Sequence, residues 1–342
     1  MIGADAPSRP RKLLRVDNLG VEFDTDYGKV CALDGVSLGV DEGRTLGIVG
    51  ESGCGKSITA RSIMRLLPQN AIISSGSIHY SSPGSASVDV TALKPNGSRI
   101  RRLRGNAFAM IFQEPMTSLS PVYTVGAQIM ETILLHTDLN RKQARERAIT
   151  MLERVHMPAP EKRVDAYPHQ LSGGMRQRVM IAMAISCSPR LLIADEPTTA
   201  LDVTIEAQIL DLLKEMQAAE NASLIMITHD LGVVAETADE VAVMYVGRVV
   251  ESGSVQEVLG DPQHPYTRAL LRSVPRIGSK ARLSPVGGTV PSLLEMPKGC
   301  KFAPRCAEAK SICHSKEPPS FKLSGGRSVK CWLHDENEGS GH

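Results

Sequence analysis

The sequence has no apolar run near the roughly 20 residues that a membrane-spanning helix needs. Its apolar stretches, such as residues 179–185 and 191–194, are the size of core elements. It also lacks the apolar segment of a secretory signal, because residues 1–15 are basic rather than hydrophobic. These two absences predict a cytosolic chain. Aromatic residues make up only 4%, with one tryptophan, and the net charge is +2. That excludes both a base-stacking surface and a basic field, so no nucleic-acid partner is expected. No internal repeat is visible.

What is present suits a globular protein: 342 residues, 42% hydrophobic and 22% charged, enough for one large α/β domain with an appendage or for two modest domains. Residues 13–23 alternate apolar and polar and predict a strand, as do residues 36–40. Residues 45–49 form a short apolar run that stops at Gly50, and helical spacing covers residues 57–67. Residues 74–97, rich in Ser and Gly, read as a hairpin or exposed loop with short strands around 76–80. Further strands are expected at 107–112, 191–195 and 223–227, helices at 175–186 and 230–237, and a hairpin around Gly247. Between about 121 and 167 the pattern is helical with scattered charge, as in an inserted helical unit. Beyond Gly260 the composition turns to Pro, Gly and Cys, which places a domain boundary there. Four of the seven cysteines (Cys300, Cys306, Cys313, Cys331) crowd into this last segment. In a reducing compartment they read as metal ligands or inert thiols rather than disulfides.

Gly50-Glu51-Ser52-Gly53-Cys54-Gly55-Lys56-Ser57 fits G-x-x-x-x-G-K-[ST] in full, between a strand and a helix. Glycines let the backbone wrap a phosphate closely, and their N–H groups with the following helix form an anion site. Lys56 would reach the β- and γ-phosphates and the Ser57 hydroxyl would ligate Mg²⁺. Ser52 and Gly53 belong to the same cradle. Cys54 sits at a variable position and receives no chemistry of its own. Residues 191–196 are an apolar strand that ends in Asp195-Glu196. A buried strand tolerates two acids only at its carboxyl end, where open α/β sheets bind ligands. Asp195 suits the Mg²⁺ partner and Glu196 the general base for the attacking water.

Leu171-Ser172-Gly173-Gly174-Met175-Arg176-Gln177-Arg178 resembles the LSGGQ-type signature of ABC ATPases, with Met175 where Gln is usual. The resemblance covers about residues 13–261, and it implies a phosphate-loop ATPase core with an antiparallel β subdomain and a helical subdomain at about 115–171. It also implies roles for single residues. Gln113 would touch Mg²⁺ and water, and His229 would contact the γ-phosphate. Residues 200–202 (Ala-Leu-Asp) would cross a dimer interface. Ser172 and Gly174 would bind the nucleotide of a second subunit. Phe23 or the nearby Tyr27 would stack on adenine. ATP and Mg²⁺ are thus the implied ligands. The segment Pro262-Gln263-His264-Pro265-Tyr266-Thr267 is similar to one that follows the ATPase domain in dipeptide and oligopeptide importers.

From that narrower resemblance come the remaining expectations. The chain would be the ATP-hydrolysing subunit of an importer for peptides or a related small solute. It would work with a second ATPase subunit of different sequence, two membrane permeases and an extracytoplasmic solute-binding protein. It would sit peripherally on the cytoplasmic face of the inner membrane. Residues 262–342 would form an extension whose four cysteines hold a 4Fe–4S cluster, as the family implies, or Zn²⁺. Spacing alone decides between neither, and reduced thiols in a packed tail remain the third reading. A soluble ABC ATPase acting on DNA or ribosomes is the competing class. It is opposed by the short insertion, the single phosphate loop and the near-neutral charge.

Overall fold

The computed structural model describes residues 12–335, apart from 83, 85, 114–117, 200 and 274–285. The basic residues 1–11, Glu114-Pro115 after the strand of Gln113, and Ala200 therefore lie outside the described residues.

Two sheets form the body. The first is antiparallel, in the order β2-β1-β4-β5, from β1 (Lys12–Thr25), β2 (Gly28–Asp41), β4 (Ala71–Tyr80) and β5 (Val88–Asp89). The strand expected at 36–40 begins at Gly28, because the whole of β2 pairs with β1 through to Thr25↔Gly28. The second sheet runs β11 (Phe321–Lys322), β12 (Ser328–Val329), β10 (Arg248–Ser254) and then β9-β3-β8-β7-β6. Its centre is parallel: β3 (Thr45–Val49) lies between β8 (Ser223–Thr228) and β9 (Glu240–Tyr245), and β7 (Leu191–Asp195) between β8 and β6 (Phe108–Ile111).

Strands β3, β7 and β8 are buried at every position. They read as continuous apolar runs because both faces of the sheet are covered. Leu191, Ile193, Ile225 and Ile227 pack towards the antiparallel sheet, and Leu192, Ala194, Leu224 and Met226 pack towards the helices. That helical side holds α3 (Val125–His136), α4 (Arg141–Arg154), α6 (Gly173–Ile185) and α7 (Val203–Glu220), with the short α5 (Pro160–Arg163) between α4 and α6. Helix α4 starts at a capping box in which Asn140 and Gln143 each satisfy the other's backbone N–H.

Helix α1 (Lys56–Ile63) is shorter than the spacing implied, because Arg65 adopts a left-handed φ of 54° and turns the chain. The short α2 (Ser98–Leu103) lies in the loop before β6, and α8 (Leu231–Thr237) follows β8. The segment after Gly260 departs most from expectation. Helix α9 (Val255–Gly260) leads into it, α10 (Pro265–Ser273) is regular, and α11 (Ser311–Ser315) adds one further turn. Strands β11 (Phe321–Lys322) and β12 (Ser328–Val329) add to the main sheet through β10 (Arg248–Ser254), with Glu251 opposite Val329. A third apolar cluster joins Tyr266 and Phe302 of this extension to Tyr245, Val243 and Val49 of the central strands.

Candidate functional site

The parallel strands bring their carboxyl ends to one edge. Val49 is in register with Thr228, Asp195 with Ile227, and Ala194 with Ile111. The residues just beyond those ends are Gly50, His229, Glu196 and Gln113. Four segments distant in sequence therefore meet at one edge by topology alone.

The loop from Gly50 to Gly55 wraps back on itself. Gly55 has φ 105°, and a Cβ there would lie 2.7 Å from Leu33 Cδ2. The hairpin turn after β9 braces the loop from behind, where the Gly247 N–H donates to Cys54 O at 2.8 Å and a Cβ on Gly247 would strike Ala32 O at 2.5 Å. The Lys56 ammonium is buried, donates to Gly50 O at 2.7 Å and Glu51 O at 3.2 Å, and lies 3.9 Å from Glu196 Oε1.

Glu196 holds an uncommon backbone, φ 48°, pinned by its own N–H to Ile227 O at 2.9 Å. A non-glycine residue in the left-handed region costs on the order of 1 kcal/mol and has to be held there by its surroundings. Its carboxylate accepts from Gln113 Nε2 at 3.0 Å and Thr199 Oγ1 at 2.9 Å, and His229 Nδ1 stands 3.6 Å away. Asp195 accepts from Ser57 Oγ at 3.0 Å. Burial pushes the Asp195 carboxyl up, the Ser57 hydrogen bond draws it back, and the neighbouring Glu196 charge raises it again. A buried carboxylate and a hydroxyl at hydrogen-bond distance are a hard-oxygen pair that fits a Mg²⁺ ion, whose charge would offset this penalty.

A cavity of about 400 Å³ opens over Lys56, Ser57, Gln113 and Glu196, whereas Asp195, Thr199 and His229 do not line it. Phe23, Thr25 and Val30 line one part, and Ser52, Gly53, Lys56, Ser57, Gln113 and Glu196 another. Phe23 lines it, whereas Tyr27 is 86% exposed and does not. Ser172, Gly173 and Gly174 are absent from the lining too. They start α6, with Ser172 as its N-cap accepting from the Met175 N–H at 3.4 Å, and Ser172 and Gly173 face solvent. Asp202 caps α7 through the Ile205 N–H at 3.0 Å. Gln177, inside the signature-like segment, is buried and donates to Pro197 O at 2.6 Å, which ties α6 to the loop after Glu196.

The four tail cysteines gather within the extension. All seven cysteines of the chain are free thiols. Burial pushes the Cys331 thiol up to about 11, and the charges of Cys300, Cys306 and Cys313 add to the rise, so the four lie within electrostatic reach of one another. Among the described residues, however, no group of three or more His, Cys, Asp or Glu side chains is arranged to hold a metal ion. The zinc expectation fits least, since four sulfurs at about 2.3 Å from one ion must nearly touch. The structure gives the cluster expectation nothing beyond this gathering of thiols.

Three further residues escaped sequence reasoning. Glu51 fills a variable position of the phosphate-loop pattern, yet its carboxylate takes both arms of the Arg305 guanidinium, at 2.6 and 3.0 Å. Its backbone N–H donates to Tyr266 OH at 3.0 Å. Only Tyr266, inside the His-Pro-Tyr-Thr segment, carried any signal.

Comparison with known proteins gives a consistent picture. A family described as ABC transporter matches residues 33–199, and one described as oligopeptide/dipeptide transporter, C-terminal region, matches residues 250–313. The dipeptide transport ATP-binding protein DppD of Bacillus subtilis is 49% identical over 327 residues, 95% of this chain and 96% of its own length. The oligopeptide transport ATP-binding protein OppD of the same organism is 48% identical over 328 residues, 95% of this chain and 90% of its own length. Among solved structures, a dimeric ATP-binding cassette bound to ADP and Pi has a TM-score of 0.62 at 24% identity, covering 71% of this chain and 98% of its own, which speaks for the fold alone. The cbiO1 protein of Clostridium perfringens, part of the ABC transporter complex cbiONQ, has a TM-score of 0.59 at 28% identity over 73% of this chain and 91% of its own.

Proposed function

The chain belongs to the ABC transporter family, in the branch of dipeptide and oligopeptide transport ATP-binding proteins, and on that premise we propose that it hydrolyses ATP to drive uptake of peptides or a related small solute across the cytoplasmic membrane. The observation that carries this reading is the Glu196 carboxylate just beyond β7, within 3.9 Å of Lys56, Gln113, Thr199 and His229 and lining, with Lys56 and Gln113, a nucleotide-sized cavity.

Each residue then has a task. The phosphate loop and Lys56 bind the triphosphate, and Phe23 stacks on the base. Ser57 and Asp195 would hold Mg²⁺, which would supply positive charge beside the phosphates. Glu196 takes a proton from the attacking water, oriented by Gln113, while His229 steadies the terminal phosphate. Ser172 and Gly174, away from their own chain's cavity, serve the nucleotide of a second subunit. We assign residues 13–261 to the ATPase domain, with its helical subdomain at about 115–171, and residues 262–342 to the importer-type extension. The partners are a second ATPase subunit of different sequence, two permeases and an extracytoplasmic solute-binding protein. No helix among the described residues is long and apolar enough to cross a membrane, which suits a subunit bound peripherally to permeases.

The test is Glu196→Gln in both ATPase subunits of the assembled complex. Removal of a general base costs about 10²–10⁴-fold in rate, so turnover falls by that factor while MgATP still binds. Unchanged turnover contradicts the assignment.

The four tail thiols carry a secondary proposal, resting on the family resemblance and on their gathering. Cys300, Cys306, Cys313 and Cys331 would hold a 4Fe–4S cluster, which would tie a Pro- and Gly-rich segment together and take no part in hydrolysis. Protein purified without oxygen is expected to contain about four irons per chain, and iron-free, fully folded protein rejects the proposal.

A further inference from the structure

Every polar group of Glu51 is engaged, and its three kinds of bond lead in different directions. The carboxylate pairs in a two-pronged fork with Arg305 at 2.6 and 3.0 Å. The backbone N–H donates to Tyr266 OH at 3.0 Å, and the carbonyl accepts from Lys56 Nζ at 3.2 Å. Two of these partners belong to the C-terminal extension and the third is the lysine of the phosphate loop. The extension therefore grips the loop one bond away from the group that meets the phosphates.

The grip is rigid on the extension side. Arg305 closes the 3-10 turn Ala303–Arg305, and its side chain is only 3% exposed. Its remaining N–H groups go to Gly287 O at 2.8 Å and Val286 O at 3.1 Å, and one prong also reaches Tyr245 OH at 3.4 Å. Tyr266 is fully buried against Tyr245 and Phe302, with ring centroids 4.6 and 5.4 Å away. Leu293, from the same extension, lines the nucleotide cavity itself. A bidentate guanidinium–carboxylate pair fixes direction as well as distance, so the position of residue 51 depends on whether the extension is seated.

We propose that Arg305 is a positioning residue for ATP: acting through Glu51, it holds the phosphate loop in its binding shape and makes nucleotide affinity depend on docking of the C-terminal extension. The dependence is reciprocal, so bound nucleotide favours the docked extension by the same factor. The proposal rests on the cavity being the ATP site.

The experiment compares the assembled complex carrying Arg305→Ala, Arg305→Lys, Glu51→Gln or Arg305→Ala with Glu51→Gln, reading KM for MgATP, kcat and melting temperature. Arg305→Ala is expected to raise KM about tenfold, the scale of a lost charge-assisted pair, with kcat changing much less. Arg305→Lys is expected to recover only part of the loss, because an ammonium has no fork. Glu51→Gln should match Arg305→Ala, and the double variant should be no worse than either single one. A lower melting temperature with KM unchanged would make Arg305 merely structural and overturn the proposal, as would additive effects in the double variant. If Arg305→Ala does not fold, a folded Glu51→Gln with wild-type KM overturns it equally. A wild-type complex that binds no MgATP removes the site assignment, and the proposal with it, whereas normal wild-type binding with unaffected variants removes the proposal alone.

Discussion

Glu51 and Glu196 differ in how far their sequence context announces them. Glu196 follows an apolar strand and an aspartate, a setting in which a second acid has no packing use, so it stands out as a candidate before any coordinates. Glu51 stands where the phosphate-loop pattern accepts any residue, and its partner Arg305 is 254 positions away. Nothing local records such a pair. His264 is intermediate: the His-Pro-Tyr-Thr segment draws attention to it, but only the structure gives the reason. It is 1% exposed, and its Nδ1 accepts from the Tyr266 N–H at 3.0 Å. Burial lowers its pKa from 6.5 to about 3, helped by the positive charges of Arg268 and His334. The unfolded chain therefore binds the extra proton first as pH falls. Stability that is complete above about pH 6.5 is lost towards pH 3, at up to about 1.4 kcal/mol per pH unit. Melting temperature measured from pH 8 to 5 should fall below pH 6.5 in the wild type and more gently in His264→Asn; parallel curves would contradict this.

At the scale of elements, the parallel strands and the helix after the phosphate loop follow from short apolar runs that end in glycine or acid. Helix α7 went unanticipated, although with Ile205, Ile209, Leu213 and Met216 at helical spacing behind an Asp202 cap its pattern was legible. Strands β11 and β12 were not. Two residues each are too short for any period, and their pairing depends on β10, some 75 residues earlier. The extension therefore read as irregular although it extends the central sheet. Helix α6 supports a prediction of its own. Its amino terminus presents Ser172, Gly173 and Gly174 outside their own chain's cavity, where N–H groups and helix dipole suit a phosphate from elsewhere. Specific ATPase activity of the purified chain should then be low when dilute and rise with added partner subunit. A flat, high activity in a proven monomer would show that each chain completes its own site.

In the whole molecule, one chain supplies a nucleotide-binding edge, a helical face and an extension joined to the phosphate loop, but no membrane span among the described residues. ATP hydrolysis becomes transport only if closure on nucleotide is passed to permeases, and it is differential affinity for the closed state that lets ATP drive such a change. The most direct measurement places the complete complex, with its binding protein, in sealed vesicles and follows labelled peptide. Wild-type complex supplied with MgATP on the side of this subunit should accumulate peptide against a gradient, and Glu196→Gln in both ATPase subunits should stop accumulation while MgATP still binds. Accumulation that continues at the wild-type rate in the Glu196→Gln complex would contradict the account.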